Sequence, residues 1–214
     1  IPNRMSESHK NVAVLGSTGS IGRSTLDVIA ASGGRLRVAA ISAHGSVARL
    51  IAQAQQFAPK QIIITDPEAA RNHGFSELAG KTEVLVGAKH LAEVVSRPDV
   101  DVVVSAIVGS AGLWGTWAAI EAGKTVALAN KESLVVGGPL VMDLATRTGA
   151  RILPVDSEHS AVFQALQAGR AHEVRRVVLT ASGGPFRNHT REQLAHVTVE
   201  EALAHIKREG MDSE

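Results

Sequence analysis

Two short segments of the chain gather side chains able to do electrostatic, acid–base or metal chemistry. The first is Ala129-Asn130-Lys131-Glu132-Ser133, at the end of an apolar run. An ammonium group placed there can point into a substrate crevice, because open α/β sheets bind ligands beyond the carboxyl ends of their strands. The same residues also suit a helix start, with Asn130 as cap and Glu132 in the first turn. Spacing alone leaves both readings open. The second is Pro154-Val155-Asp156-Ser157-Glu158-His159. In an extended segment Asp156 and Glu158 project to one side and could share one Mg²⁺ or Mn²⁺, ions that prefer oxygen and take few protein carboxylates. An acid-rich helix start explains the pair as well. His159 reads as a hydrogen-bonding or packing group. A weaker third segment, Ala181-Ser182-Gly183-Gly184-Pro185-Phe186, has the composition of a turn, where Ser182 and glycine amides could hold a phosphate.

A phosphate site of another kind stands near the start. Val12-Ala13-Val14-Leu15 runs into Gly16-Ser17-Thr18-Gly19-Ser20-Ile21-Gly22, and a helical pattern follows. Glycines at this spacing allow a tight turn and let backbone N–H groups approach a pyrophosphate at the positive end of a helix. A lone glycine motif is common, but this one sits in the first strand–turn–helix unit, the context that dinucleotide binding requires. The end of the second strand, Ile41-Ser42-Ala43-His44-Gly45-Ser46, carries no acid to hold free ribose hydroxyls. His44, Ser46 and Arg49 could instead accept a 2′-phosphate, which favours NADP over NAD.

These segments need a frame. Valine- and isoleucine-rich runs at Asn11–Leu15, Leu36–Ser42, Gln61–Thr65, Thr82–Val86, Val100–Ala106, Thr125–Leu128, Arg151–Pro154 and Val174–Ala181 read as strands, several apolar on both faces. Between them lie helical patterns. Ser46 is a candidate cap for a helix to Phe57, Asp66-Pro67 opens another, and Thr198 with Glu201 forms a capping box for a late helix through His205. The alternation predicts an α/β fold, a doubly wound, Rossmann-like, mostly parallel sheet over residues 1–150, followed by the start of a second, catalytic α/β domain over 151–214.

Composition narrows the functional classes. Lys and Arg number 22 against 21 Asp and Glu, so no overall basic charge points to nucleic acid. Two Trp, four Phe and no Tyr leave few stacking platforms for single strands. No Cys is present, which removes disulfides and thiolate metal sites. No apolar run is long enough for a membrane span, and the polar first ten residues lack the apolar stretch of a signal peptide. A cytoplasmic protein that does not work on a membrane is expected.

Taken together, GSTGSIG at 16–22, AIVGSAGL at 106–113, LANKESLV at 128–135, LPVDSEH at 153–159 and SGGPF at 182–186 resemble the 1-deoxy-D-xylulose 5-phosphate reductoisomerase family in order and spacing. The resemblance covers about Asn11 to His205. It implies NADPH- and Mg²⁺- or Mn²⁺-dependent reductive isomerisation of a phosphosugar, 1-deoxy-D-xylulose 5-phosphate, to 2-C-methyl-D-erythritol 4-phosphate, early in non-mevalonate isoprenoid synthesis. By residue, it implies NADPH contacts at Thr18, Gly19, Ser20, Ile21, His44, Gly45, Ser46, Asn130 and Glu132. Lys131, Ser157, Glu158, Ser182 and His205 would meet substrate. Asp156 and Glu158 would hold the metal, and with Lys131 they form the expected catalytic set. The family is commonly homodimeric.

The chain departs from the pattern at two places. Family members often carry a basic residue or Asn in the turn that here reads His44-Gly45-Ser46. After His205 the family continues with Pro and a Trp-containing flap, where this chain has Ile206–Glu214. The flap, a third metal carboxylate, further phosphate ligands and a carboxy-terminal helical domain are therefore expected to be missing, and with them most turnover. Two other readings stay open: another NADP-dependent dehydrogenase, and a nucleotide-binding piece without catalysis.

Overall fold

Valine and isoleucine runs that are apolar on both faces have to be covered from both sides, and they occupy the centre of the molecule. In the computed structural model, which describes residues 9–178 and 186–201, they form a single seven-stranded sheet. Its strands are β1 (Lys10–Leu15), β2 (Leu36–Ala43), β3 (Gln61–Ile64), β4 (Glu83–Val86), β5 (Val102–Ser105), β6 (Thr125–Leu128) and β7 (Arg151–Pro154). The order is β4-β3-β2-β1-β5-β6-β7, and every pairing is parallel. The chain winds outward from β1 in one direction and then, after β4, in the other. The order reverses between β1 and β5, the switch point where such sheets form their ligand crevice.

Parallel strands need crossovers, and these are helical. Helices α1 (Ser20–Ala30) and α2 (Val47–Phe57) cover one face, where Leu26, Ile29, Val47, Leu50 and Ala54 pack on Val12, Val14, Ile41, Ile62 and Ile64. Helices α4 (Lys89–Val95), α5 (Gly112–Glu121) and α6 (Glu132–Thr148) cover the other. There Leu91, Val94, Ala119, Ile120, Val141 and Leu144 meet Leu15, Ile63, Val103, Val126 and Leu128. Each fully buried aliphatic side chain contributes about 1.5–3 kcal/mol of transfer free energy. Helix α3 (Pro67–Arg71) is short and starts at Asp66, whose carboxylate accepts the Glu68 N–H at 2.9 Å. Ser46 does precede α2, but its side chain makes no capping bond. α6 kinks at Gly137, two residues before Pro139, which lacks the N–H a helix interior needs.

β2 carries a one-residue bulge. Val12 pairs with Val38, whereas Ala13 pairs with Ala40, so Ala39 is the extra residue. Val38 and Ile41 consequently face α1 and α2, while the adjacent Ala39 and Ala40 both face the opposite core.

The edge of the sheet away from the crevice is tied by ion pairs. Asp99, in the turn before β5, is 3.0 Å from Arg97 Nε and 2.6 Å from Lys60 Nζ. The hydrogen bond from Arg97, then that from Lys60, hold its carboxyl far below the usual carboxylate range. A depressed folded-state pKa stabilises above the unfolded value, and the contribution is lost as pH falls through the folded one. Asp99→Asn is therefore expected to cost about 1 kcal/mol at neutral pH, limited by solvent screening of the two cations. In thermal unfolding, the difference from the unaltered chain should be largest above the ordinary Asp range and shrink in acid.

The chain divides into two compact units, Ile1–Phe163 and Gln164–Glu214. The boundary drawn at residue 150 from the sequence falls just before β7, which belongs to the sheet of the first unit. The second unit's described residues include a 3₁₀ turn, Ala171–Glu173, and α8 (Arg191–Leu194). The late capping box is present, with Thr198 N–H donating to Glu201 and Glu201 N–H to Thr198 Oγ1 at 3.2 Å. The strand expected over Val174–Ala181 is not formed in its described part: residues 174–178 are irregular, and Val177 and Val178 are exposed. Among the described residues their β-branched side chains have no neighbouring strand, and propensity without a partner does not make a strand.

Candidate active site

Because all strands run parallel, the glycine loop, the β2–α2 turn and the segments after β6 and β7 lie on one edge of the sheet. The glycine loop joins β1 to α1. Gly16 has a φ of +79°, and a Cβ there would stand 2.7 Å from Ala106 O. Gly22 lies beneath the loop, where a Cβ would stand 2.2 Å from Gly16 O and 2.5 Å from Ser17 Cα. Both positions exclude a side chain because backbone fills the space. Thr18 is buried, while Gly19, Ser20 and Ile21 are exposed at the start of α1. No side chain caps that helix, so its first-turn N–H groups face outward. The arrangement fits a pyrophosphate.

His44, Gly45 and Ser46 are exposed one strand away. His44 Nδ1 lies 3.0 Å from Thr65 Oγ1, at the end of β3. Arg49 Nη1 donates to Thr18 O at 3.1 Å and so links α2 to the loop.

On the other side of the switch point, Asn130 stands two residues past the end of β6 and is buried. Its Nδ2 lies 2.6 Å from Ile107 O, 2.9 Å from Gly109 O and 3.1 Å from a Glu132 carboxylate oxygen. Its Oδ1 accepts the Ser133 N–H at 3.1 Å and the Ser133 hydroxyl. Asn130 is thus a helix cap and the strut that fixes the loop after β5 against α6. It also orients the next residue: Lys131 reaches across to β7's end, where Nζ meets Asp156 Oδ1 at 3.1 Å. His159 Nδ1 meets the other oxygen, Oδ2, at 2.7 Å.

Asp156 is therefore gripped on both oxygens. Its side chain is 20% exposed, against 59% for Lys131, so the carboxylate is sheltered while the ammonium stays open to a ligand. The His159 hydrogen bond, then the Lys131 hydrogen bond, lower the Asp156 pKa; the bond to Asp156 raises that of Lys131. The Asp156 interactions are present above the usual carboxylate range and are lost as pH falls through its depressed value. The expected titration midpoint of the Asp156 carboxyl carbon, read by NMR, lies below the ordinary value of about 3.9. His159→Ala and Lys131→Met should each move it upward.

One expectation is corrected here. Asp156 and Glu158 do not lie on an extended segment: α7 (Ser157–Leu166) begins directly after Asp156. Glu158, in the first turn of that helix, is exposed and accepts the Ser157 hydroxyl at 2.9 Å. The donor set remains hard oxygen, which suits Mg²⁺ or Mn²⁺. Among the described residues no group of three or more His, Asp or Glu side chains is placed to hold a metal. Ser182 and His205 lie outside the described residues.

Sequence reasoning missed Ser42 and Gln53. Ser42 Oγ accepts the Gly16 N–H at 3.0 Å, and Gln53 binds Ser17. The available signal was a polar residue in each of two otherwise apolar patterns.

A doubly wound parallel sheet with a glycine loop at its switch point and an ion-paired lysine across the crevice defines a Rossmann-like α/β protein. Comparison with known proteins supplies the family. The model described as 1-deoxy-D-xylulose 5-phosphate reductoisomerase matches residues 12–138, and that of the reductoisomerase C-terminal domain matches 152–210. The chain belongs to the 1-deoxy-D-xylulose 5-phosphate reductoisomerase family. The reductoisomerase of Geobacillus kaustophilus (strain HTA426) is 51% identical over 199 residues, covering 92% of this chain and 51% of the relative. That of Methylococcus capsulatus is 50% identical over 204 residues, covering 92% and 52%. Among solved structures, the Zymomonas mobilis enzyme in complex with NADPH is 44% identical with a TM-score of 0.80, over 93% of this chain and 52% of that one. A magnesium complex of DOX-P reductoisomerase is 40% identical with a TM-score of 0.78, over 91% and 52%. The chain thus spans about half the length of the relatives it matches. No helix among the described residues is long and apolar enough to cross a membrane.

Proposed function

We propose that this chain carries the NADPH site and part of the catalytic site for the reductive isomerisation of 1-deoxy-D-xylulose 5-phosphate to 2-C-methyl-D-erythritol 4-phosphate. The observation that carries the reading is the Lys131–Asp156–His159 cluster, set at the ends of β6 and β7 on the same sheet edge as the glycine loop. The relatives bound to NADPH and to magnesium support the cofactors.

The roles follow from the chemistry of the residues. The amides of Thr18, Gly19, Ser20 and Ile21 receive the pyrophosphate. His44, Gly45 and Ser46 face the adenosine ribose, where the lack of an acid leaves room for a 2′-phosphate. Asn130 and Glu132 form the wall beside the cofactor. Lys131, ion-paired with Asp156, holds the substrate's oxygens, with Ser157 as a further contact. Asp156 and Glu158 would hold Mg²⁺ or Mn²⁺. When bound, NADPH supplies hydride and the cation polarises neighbouring substrate oxygens. His159 fixes Asp156 in orientation. Of the expected metal carboxylates only the sheltered Asp156 and the exposed Glu158 are described, and two carboxylates alone are expected to give little turnover. We place the protein in the bacterial cytoplasm as one half of a homodimer.

The test is calorimetric titration of NADPH, followed by addition of 1-deoxy-D-xylulose 5-phosphate with Mn²⁺ while the absorbance of reduced nicotinamide is followed. Binding with little oxidation is the expected result. Brisk oxidation would show that the pair suffices, and a folded chain that binds no NADPH would overturn the cofactor reading.

A further inference from the structure

We infer that Gln53 and Arg49 act together as positioning residues that hold the glycine loop in its cofactor-receiving shape; the inference rests on the NADPH site proposed above. The two lie four residues apart on α2, so they share one helix face. Gln53 is nearly buried, and its amide meets one residue twice: Nε2 donates to Ser17 O at 2.9 Å, and Oε1 accepts from Ser17 Oγ at 2.7 Å. Arg49 Nη1 takes the next carbonyl, Thr18 O, at 3.1 Å. From the strand side, Ser42 accepts the Gly16 N–H on its hydroxyl and the Ser17 N–H on its carbonyl at 2.9 Å.

The consequence concerns the direction of peptide groups. In a trans peptide the N–H points opposite to the C=O, and among the described residues no peptide bond is cis. Drawing Ser17 O toward Gln53 turns the Thr18 N–H away from α2. Carbonyl oxygens aimed at a pyrophosphate would repel it, and the clamp turns two successive ones away and neutralises them with donors. α2 begins at Val47, directly after His44-Gly45-Ser46. One rigid helix therefore fixes both the loop and the turn at the ribose end.

The test uses calorimetric titration of NADPH and NADH into the 214-residue chain and into Gln53→Met and Arg49→Met, with unfolding temperatures measured without ligand. Gln53→Met is expected to weaken both cofactors about tenfold or more, equivalent to about 1.4 kcal/mol, by the same factor for each. Arg49→Met should weaken both by one smaller factor. Unchanged affinity beside a lowered unfolding temperature would reduce the network to a prop for the fold and overturn the inference. Loss confined to NADPH in Arg49→Met would make Arg49 a direct phosphate ligand and overturn its positioning role. If Gln53→Met does not fold, Gln53→Asn, which keeps the amide but loses its reach, is read the same way. An unaltered chain that binds neither cofactor removes the underlying reading, an outcome recognisable without any variant.

Discussion

Replacing Gly22 with alanine is expected to weaken NADPH binding by about 100-fold or more, equivalent to about 2.7 kcal/mol. The added methyl has nowhere to go. It would stand 2.2 Å from Gly16 O, 2.5 Å from Ser17 Cα and 2.7 Å from Ser17 C, all backbone atoms of the glycine loop. A flexible side chain could swing aside, but backbone held by Ser42 and Gln53 cannot move without breaking their hydrogen bonds. The loop would lift off α1, and the first-turn amides would no longer converge on one anion. Gly74→Ala is the matched control, because a Cβ there meets nothing within 4 Å. Calorimetric titration of both variants, with circular dichroism to confirm the fold, checks the expectation. Equal affinity in Gly22→Ala would move the cofactor away from this loop.

Asp156→Asn carries the other large effect. An amide presents one acceptor and one donor face, whereas Asp156 receives hydrogen bonds from Lys131 on one oxygen and His159 on the other. One of those donors must then face an NH₂ group. The substitution also removes the negative charge proposed to hold the cation. Joined to the segment by which its relatives exceed it in length, the chain bearing Asp156→Asn should lose two to three orders of magnitude in turnover, roughly what removal of one preorganised electrostatic group costs. His159→Ala, which removes only an orienting partner, should lose about tenfold, the lower end for an outer-shell change. Steady-state rates across a Mn²⁺ series separate the two. Undiminished turnover of Asp156→Asn at saturating metal would remove Asp156 from the metal site.

The sheet was legible because its strands are valine and isoleucine runs too apolar to lie open on either side, and seven of the eight expected strands formed. The eighth failed at Val174–Val178, where local propensity was right but nothing in the described structure pairs with it. The glycine loop could be read from Gly16, Gly19 and Gly22 because its chemistry resides in the backbone, which glycine spacing reports directly. The carboxylate pair could be read only in part. An extended pair and an acid-rich helix start are equally written in Asp156-Ser157-Glu158, and the helix prevails. The link from Lys131 to Asp156 was invisible, because it depends on β6 and β7 being neighbours rather than on any local spacing. Gln53 was hidden for the same reason: its partner Ser17 lies 36 residues away.

The bulge at Ala39 bears on how this strand can vary in length. Side chains on a regular strand alternate, so removing one residue turns over everything that follows. A bulge is the exception, because it holds a residue that the partner strand does not match. Without Ala39, Val38, Ala40 and Ile41 would fall into plain alternation, Val38 and Ile41 still toward α1 and α2 and Ala40 toward the opposite core, with Ser42 still beside Gly16 and Ser17. β2 thus carries one residue in reserve, and a single-codon deletion at Ala39 should be borne better than one in β1, which has none to spare.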